Sequence, residues 1–195
     1  MSFSATSSDD ELIGAFIDGE SAAMEALFRR YRKPVFGWVL RMVENCGEAE
    51  DLYQDIWLKV IKRAQDYATG HFKAWMWRIA RNCVIDHLRK NRPDLVLDAP
   101  LSDDEDAEKA VDRITDDAAA CALENMEMDE RRAILRSAIS ELSPALKEVV
   151  LLRINGECEF REIAEMLNLP IGTVLGRMHL AVAKMKETLK RKGWV

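Results

Sequence analysis

The sequence predicts an all-α fold, two small helical domains joined by an acidic flexible linker, and three observations lead there. Apolar residues recur at helical spacing along nearly the whole chain, and no segment alternates as a half-buried strand would. Charge comes in blocks: residues 1–97 carry 14 basic and 14 acidic side chains, residues 98–130 carry 2 and 13, and residues 131–195 carry 12 and 7. The middle block also lacks aromatic residues, so it repels itself with little to bury and reads as a tether. The expected division is a helical domain over 1–97, a linker over 98–129 and a second helical domain over 130–195.

Taken in order, Ser8-Asp9-Asp10-Glu11 starts the first helix, with a capping hydroxyl and acids at the positive end of the helix dipole. A long helix follows over about 20–44, with Pro34 inside it as a kink or break. Gly47 punctuates, and the next helix runs over about 48–66. After the loop Tyr67-Ala68-Thr69-Gly70, a helix covers about 71–91 and ends before Pro93. Beyond the linker, a helix spans about 130–141 and Ser143-Pro144 opens another. The stretch EIAEMLNLPIGTVLGRMHL, residues 162–180, then holds two short apolar-periodic segments broken at Asn168-Leu169-Pro170.

Composition bounds the function. The net charge of −6 hides a basic C-terminal block, a hint of nucleic-acid contact despite the acidic average. The start, MSFSATSSDDE, has neither the basic flank nor the apolar block of a signal peptide, and no apolar run approaches the roughly 18 residues of a membrane span. A cytoplasmic protein that is not itself a membrane protein is expected. Cys46, Cys83, Cys121 and Cys158 are widely spaced, so buried reduced thiols are expected rather than a metal site. The chain shows no phosphate-binding glycine loop, metal-ligand cluster or nucleophile elbow, so no enzyme, cofactor or small-molecule substrate is expected.

In residues 162–180, Ile163, Ala164 and Leu167 form the apolar face of a first helix, while Val174 and Met178 turn the second inward. A tight break of this kind exposes the other face of the second helix, where it can enter a major groove. Lys184, Lys186, Lys190, Arg191 and Lys192 follow, suited to phosphate contacts, although an ordinary helical hairpin with a solvated basic tail has the same pattern.

The helix near 71–91 gathers Arg78, Arg81, Asn82, Ile85, Arg89 and Arg92 within an arc of about 100°. Phe72, Met76, Ile79, Cys83 and Val84 face broadly the other way. Trp75 and Trp77 flank the basic stripe, with Tyr67, Thr69 and His71 on the loop before it. Cations beside rings suit single-stranded nucleic acid, since bases stack on the rings while cations hold phosphates. Trp75 reads as core; Trp77 is open between core and strand contact. In the preceding helix Leu52, Ile56 and Val60 point inward, while Asp51, Gln54, Asp55 and Leu58 form an outward stripe resembling a helix-docking surface.

Together these segments resemble the extracytoplasmic-function (group IV) RNA polymerase sigma factors. ALFRRYRKPVFGWVLRMV, AEDLYQDIWLKV and FKAWMWRIARNCVIDHLRK are similar, in order and spacing, to that family's first conserved domain. LSPALKEVVLLRINGECEFREIAEMLNLPIGTVLGRMHLAVAKMK is similar to its second. The resemblance implies a subunit that binds core RNA polymerase and promoter DNA, and is masked by an anti-sigma factor. It implies polymerase docking through Asp51, Gln54, Asp55 and Leu58. It places promoter recognition and melting near the start site on Lys73, Trp77, Arg78, Arg81, Asn82 and Arg89, with Tyr67, Thr69 and His71 on the loop that captures a flipped base. It places upstream duplex reading on Thr173, Val174, Arg177, His179 and Lys184.

The reading helix departs from the family pattern. Leu175, Gly176 and Leu180 stand where the family usually places Lys, Ser and Arg, and Glu159 stands where a capping Ser is usual. Two other readings stay open: a helix-turn-helix regulator whose first half senses a ligand or dimerises, and a sigma-like adaptor that binds only an anti-sigma protein.

Overall fold

A computed structural model describes residues 7–68, 70–91 and 127–194, with side chains from residue 133 in the last stretch. Among these residues there are eight α-helices, one short 3-10 turn and no strand. The predicted linker lies outside the described residues except at its end, where a helix already begins at Glu127.

Each helix begins where local chemistry satisfies its free amides. Helix α1, Asp9–Ile17, starts with a reciprocal cap: Ser8 Oγ accepts from Glu11 N–H at 3.2 Å and Glu11 Oε2 accepts from Ser8 N–H at 2.8 Å. Helix α2, Ser21–Val43, runs through Pro34 without the expected break. Proline removes one amide, and Val35, Trp38 and Val39 on the following turn are fully buried, so packing holds the helix together across it. Glu44 then takes a left-handed conformation, φ 60°, and Asn45 caps helix α3, Cys46–Lys62, accepting from Glu48 N–H at 3.2 Å. A two-residue reversal therefore sets α2 and α3 side by side. A 3-10 turn, Ala64–Asp66, leads to the loop before helix α4, Phe72–Asn91.

Helix α5 spans Glu127–Ser140, and helix α6, Pro144–Asn155, opens with proline at its first position, where no amide is needed. Helix α7, Phe160–Leu167, ends at Asn168 with φ 53°, and helix α8, Ile171–Arg191, restarts directly behind Pro170. The break at Asn168-Leu169-Pro170 is thus where the sequence puts it. At the start of α7 the missing cap is half replaced, because Glu162 Oε2 accepts from Glu159 N–H at 2.7 Å.

The described residues gather into two compact units, one comprising residues up to 91 with 151–167, the other 127–150 with 168–194. The first unit is built around Leu12 and Ile13 of α1, Leu27, Trp38 and Val39 of α2, Ile56 and Val60 of α3, and Met76 and Val84 of α4, all fully buried. Trp38 and Trp77 meet edge to face, 5.6 Å between ring centroids. Helix α7 packs on α4 within the same unit, with Ile163 buried and Lys73 Nζ donating to the Glu157 carbonyl at 2.6 Å. Gly156 passes so close to Trp77 that a Cβ there would lie 3.1 Å from the indole and 2.7 Å from the Leu152 carbonyl oxygen. Cys83 and Cys158 are buried as expected, and burial pushes the Cys158 thiol up to about 12. Cys46 is exposed, against expectation, because it occupies the solvent side of the first turn of α3.

In the second unit α5 packs on α8, and Glu141 ties them at their ends. It accepts from Thr188 Oγ1 at 3.0 Å, pairs with Lys192 Nζ at 2.8 Å and meets Arg191. The Lys192 and Thr188 contacts lead in holding its carboxyl below the ordinary value of 4.5. A lowered folded-state pKa contributes stability above the unfolded value and loses it as pH falls through the window below 4.5. Protection of the amides at the C-terminal end of α8, taken relative to their intrinsic exchange rates, is therefore expected to fall as pH drops through that window. Glu141→Gln should flatten this dependence; an unchanged pH profile in the variant would remove Glu141 as its source.

Candidate nucleic-acid and docking surfaces

Helix α3 separates its two faces cleanly. Leu52, Ile56 and Val60 are buried, and Asp51, Gln54, Asp55 and Leu58 are exposed, Leu58 at 51%. The period of 3.6 produces this result, since the exposed set falls at i, i+3, i+4 and i+7. Ile61, three residues beyond Leu58 and 43% exposed, extends the apolar end; its i+3 spacing is the signal in the sequence that marks it as part of the stripe. Beside Gln54 a cleft of about 660 Å³ opens between α2 and α3, lined by Phe28, Arg32, Lys33, Phe36, Glu50 and Tyr53. Phe28 and Phe36 stand against Tyr53 with centroids 5.7 Å away in both cases, so the cleft has an aromatic floor and a mainly basic rim.

Helix α4 carries the second surface. Arg78, Asn82 and Arg89 are exposed and Arg81 half-buried, as the arc requires. Ile85, on the same arc, is buried at 3% exposure. Lys73 lies outside the arc, half-buried, with Glu162 at 3.6 Å and the Glu157 carbonyl as partners. His71 is exposed, Tyr67 half-buried, and Thr69 lies outside the described residues.

The structure corrects one tryptophan and decides the other: Trp75, read as core, is partly exposed, and Trp77, left open by spacing and assigned to the melting surface by the resemblance, is core. Trp77 is fully buried and offers no surface for a base; Trp75 is half-buried. Helical spacing carries the reason. Trp77 shares its side of α4 with Ala80 and Val84, at i+3 and i+7, both fully buried, whereas Trp75 stands in line with exposed Arg78 and Asn82. Around Trp75 the rings of Tyr67 and Phe72 lie at 5.4 and 5.8 Å, at 63° and 46° to it. A ring held on two sides and still partly exposed is a platform for stacking.

On α8, Thr173 is half-buried, and His179 and Lys184 are exposed. Val174 is fully buried and Arg177 is 3% exposed, so neither reaches a groove here. Both lie on one inward stripe with Ala181, at i, i+3 and i+7, which overrides the expectation that an arginine points outward. Leu175 and Leu180 are half-buried, and Val182 is 38% exposed, which leaves this helix more apolar on its open side than a phosphate-binding face needs. Of the basic tail, Lys184, Lys186 and Lys190 are exposed, while Arg191 and Lys192 are engaged by Glu141.

Comparison with known proteins accords with this arrangement. Residues 27–93 match the family model for sigma-70 region 2, and residues 120–185 match that for sigma-70 region 4. The chain is 33% identical over 175 residues to the RNA polymerase sigma factor CarQ of Myxococcus xanthus, covering 89% of this chain and 93% of that one. It is 27% identical over 177 residues to the ECF RNA polymerase sigma factor SigW of Bacillus subtilis strain 168, covering 88% and 91%. Among solved structures, the fold is similar to the sigma factor RpoE of Bartonella quintana, solved with the anti-sigma factor NepR. The TM-score is 0.63 and the identity 19%, over 85% of this chain and 96% of that one.

Proposed function

The chain belongs to the extracytoplasmic-function RNA polymerase sigma factors, and from that premise we propose how its residues divide the work of starting transcription. It is an alternative sigma factor: it binds core RNA polymerase and directs promoter recognition and initiation. In our reading residues 1–97 dock on polymerase and open the promoter, and residues 130–195 read the upstream element as duplex. Docking goes to Asp51, Gln54, Asp55 and Leu58; melting goes to the Arg78, Arg81, Asn82 and Arg89 side of α4 with the adjoining loop. Thr173, His179 and Lys184 remain for upstream reading. An anti-sigma factor is the further partner we assign. No helix among the described residues is long and apolar enough to cross a membrane, and we place the protein in the cytoplasm.

The observation that carries this division is that helices α3 and α4 present two chemically opposite faces within one small unit. One face is acidic and leucine-tipped; the other is basic and aromatic. A regulator that only bound duplex would have no use for the pair.

Energetics make the polymerase obligatory. Opening about ten base-pair steps costs on the order of 14 kcal/mol. One or two bases stacked on rings return about 1–3 kcal/mol each. The expected result is run-off transcription from genomic fragments when the purified chain is added to core polymerase, with permanganate-reactive thymines only in that mixture. Thymine reactivity with the chain alone would contradict the energetics, and absence of any transcript with core would overturn the assignment.

A further inference from the structure

Helix α1 precedes the part of the chain that matches sigma-70 region 2, which begins at residue 27. Its two leading carboxylates nonetheless reach well beyond it. Asp9 accepts from the Tyr31 hydroxyl and from Arg30, fixing α1 on α2. Asp10 does something different. Its Oδ1 accepts from the Tyr67 hydroxyl and, at 3.2 Å, from the backbone N–H of Phe72.

Those two donors flank the loop between the 3-10 turn and α4. Phe72 N–H is among the first amides of α4, which have no partner within their own helix. Asp10 supplies that cap from a distance of 62 residues in sequence. Its other oxygen lies over the backbone, 3.8 Å from where a Cβ on Gly70 would be. The Tyr67 ring that Asp10 holds is itself edge-on to Trp75 and to Phe72, with centroids 5.4 and 6.1 Å away. Burial first, then the bond to Asp10, raises the Tyr67 hydroxyl above its ordinary value of 10.0, so it remains a donor at any working pH.

We propose that Asp10 is a positioning residue for promoter opening: it pins Tyr67 and the start of α4 so that Trp75 and Tyr67 stand ready as the wall on which a base pulled from the duplex is received. This rests on the base-capture reading of the residues before α4. The physical need is preorganisation. Ordering even two or three backbone residues at the moment of capture has an entropic cost that rivals the stacking of one base, so an unpinned loop would cancel the gain.

The test uses holoenzyme reconstituted with core polymerase. The promoter templates are already single-stranded near the start site and carry one abasic position, moved along the non-template strand. Wild-type holoenzyme is expected to show one position where the missing base weakens binding by roughly tenfold or more, the effect of a stacked base. Asp10→Ala should erase most of that penalty while affinity for core polymerase is unchanged. Asp10→Asn keeps an oxygen that accepts both bonds and should restore it. Tyr67→Phe removes one hydroxyl from an intact fold and should lower the penalty alone. If the penalty persists in full in both Asp10→Ala and Tyr67→Phe, the positioning role is overturned. It is overturned equally if Asp10→Ala loses core binding and thermal stability in step with the penalty while Tyr67→Phe behaves as wild type. A wild-type holoenzyme indifferent to abasic sites everywhere removes the capture reading itself, and this role with it.

Discussion

Trp77→Ala is expected to lower the stability of the first unit by about 3–5 kcal/mol, as deletion of a fully buried large aromatic does. Measured against the roughly 5–15 kcal/mol that holds a domain together, that loss is large enough to unfold much of the protein at growth temperature. Part of it is the edge-to-face packing with Trp38, and the rest is the cavity left between α2, α4 and the turn at Gly156. Trp77→Phe costs less, because it keeps a ring and removes an indole N–H that is buried with no acceptor. Urea denaturation followed by far-ultraviolet circular dichroism measures both. Trp75→Ala gives the contrast: Trp75 is only partly buried, so its removal costs less stability than that of Trp77, and promoter opening is impaired in a chain that stays folded. A Trp77→Ala protein of wild-type stability that failed only in promoter opening would return Trp77 to the strand-binding surface.

The second large effect is on assembly. Asp55→Ala or Leu58→Ala is expected to cost at least about 2 kcal/mol of polymerase affinity, near thirtyfold, if either is an anchor of the docking face. Both side chains are exposed, so stability should move by no more than about 0.5 kcal/mol. Fluorescence titration of labelled protein with core polymerase reads the first quantity, and thermal melting the second. Ile61→Ala extends the series at the apolar end of the stripe. Undiminished affinity across all three would move docking off this side of α3.

Much of this architecture is legible in the sequence, for a reason visible in particular residues. The Ser8 cap, the Ser143-Pro144 start and the Asn168-Leu169-Pro170 break are local signals, and local backbone chemistry decides them. The faces of α3 follow from spacing alone because one side is strongly apolar and the other strongly charged. Helix α4 is harder. It is buried over much more than half its circumference, so an arc drawn through the arginines misplaces Ile85 and leaves Trp77 undecided. Arg177 fails for a related reason, since its inward position follows from the Val174–Ala181 stripe rather than from its own charge. Asp10 could not be found at all from spacing, because its partners lie 57 and 62 residues away.

The turn at Gly156 bears on how such a chain can drift over generations. There the absent methyl would press on the Leu152 carbonyl at 2.7 Å, on the Cys158 sulfur at 2.9 Å and on the Trp77 indole at 3.1 Å. The narrowest of these is main chain and cannot swing aside. Descendants that acquire alanine there must reroute the turn itself, and a rerouted turn changes what the indole at residue 77 packs against, so the two positions share one fate: neither can wander far without its neighbour's consent.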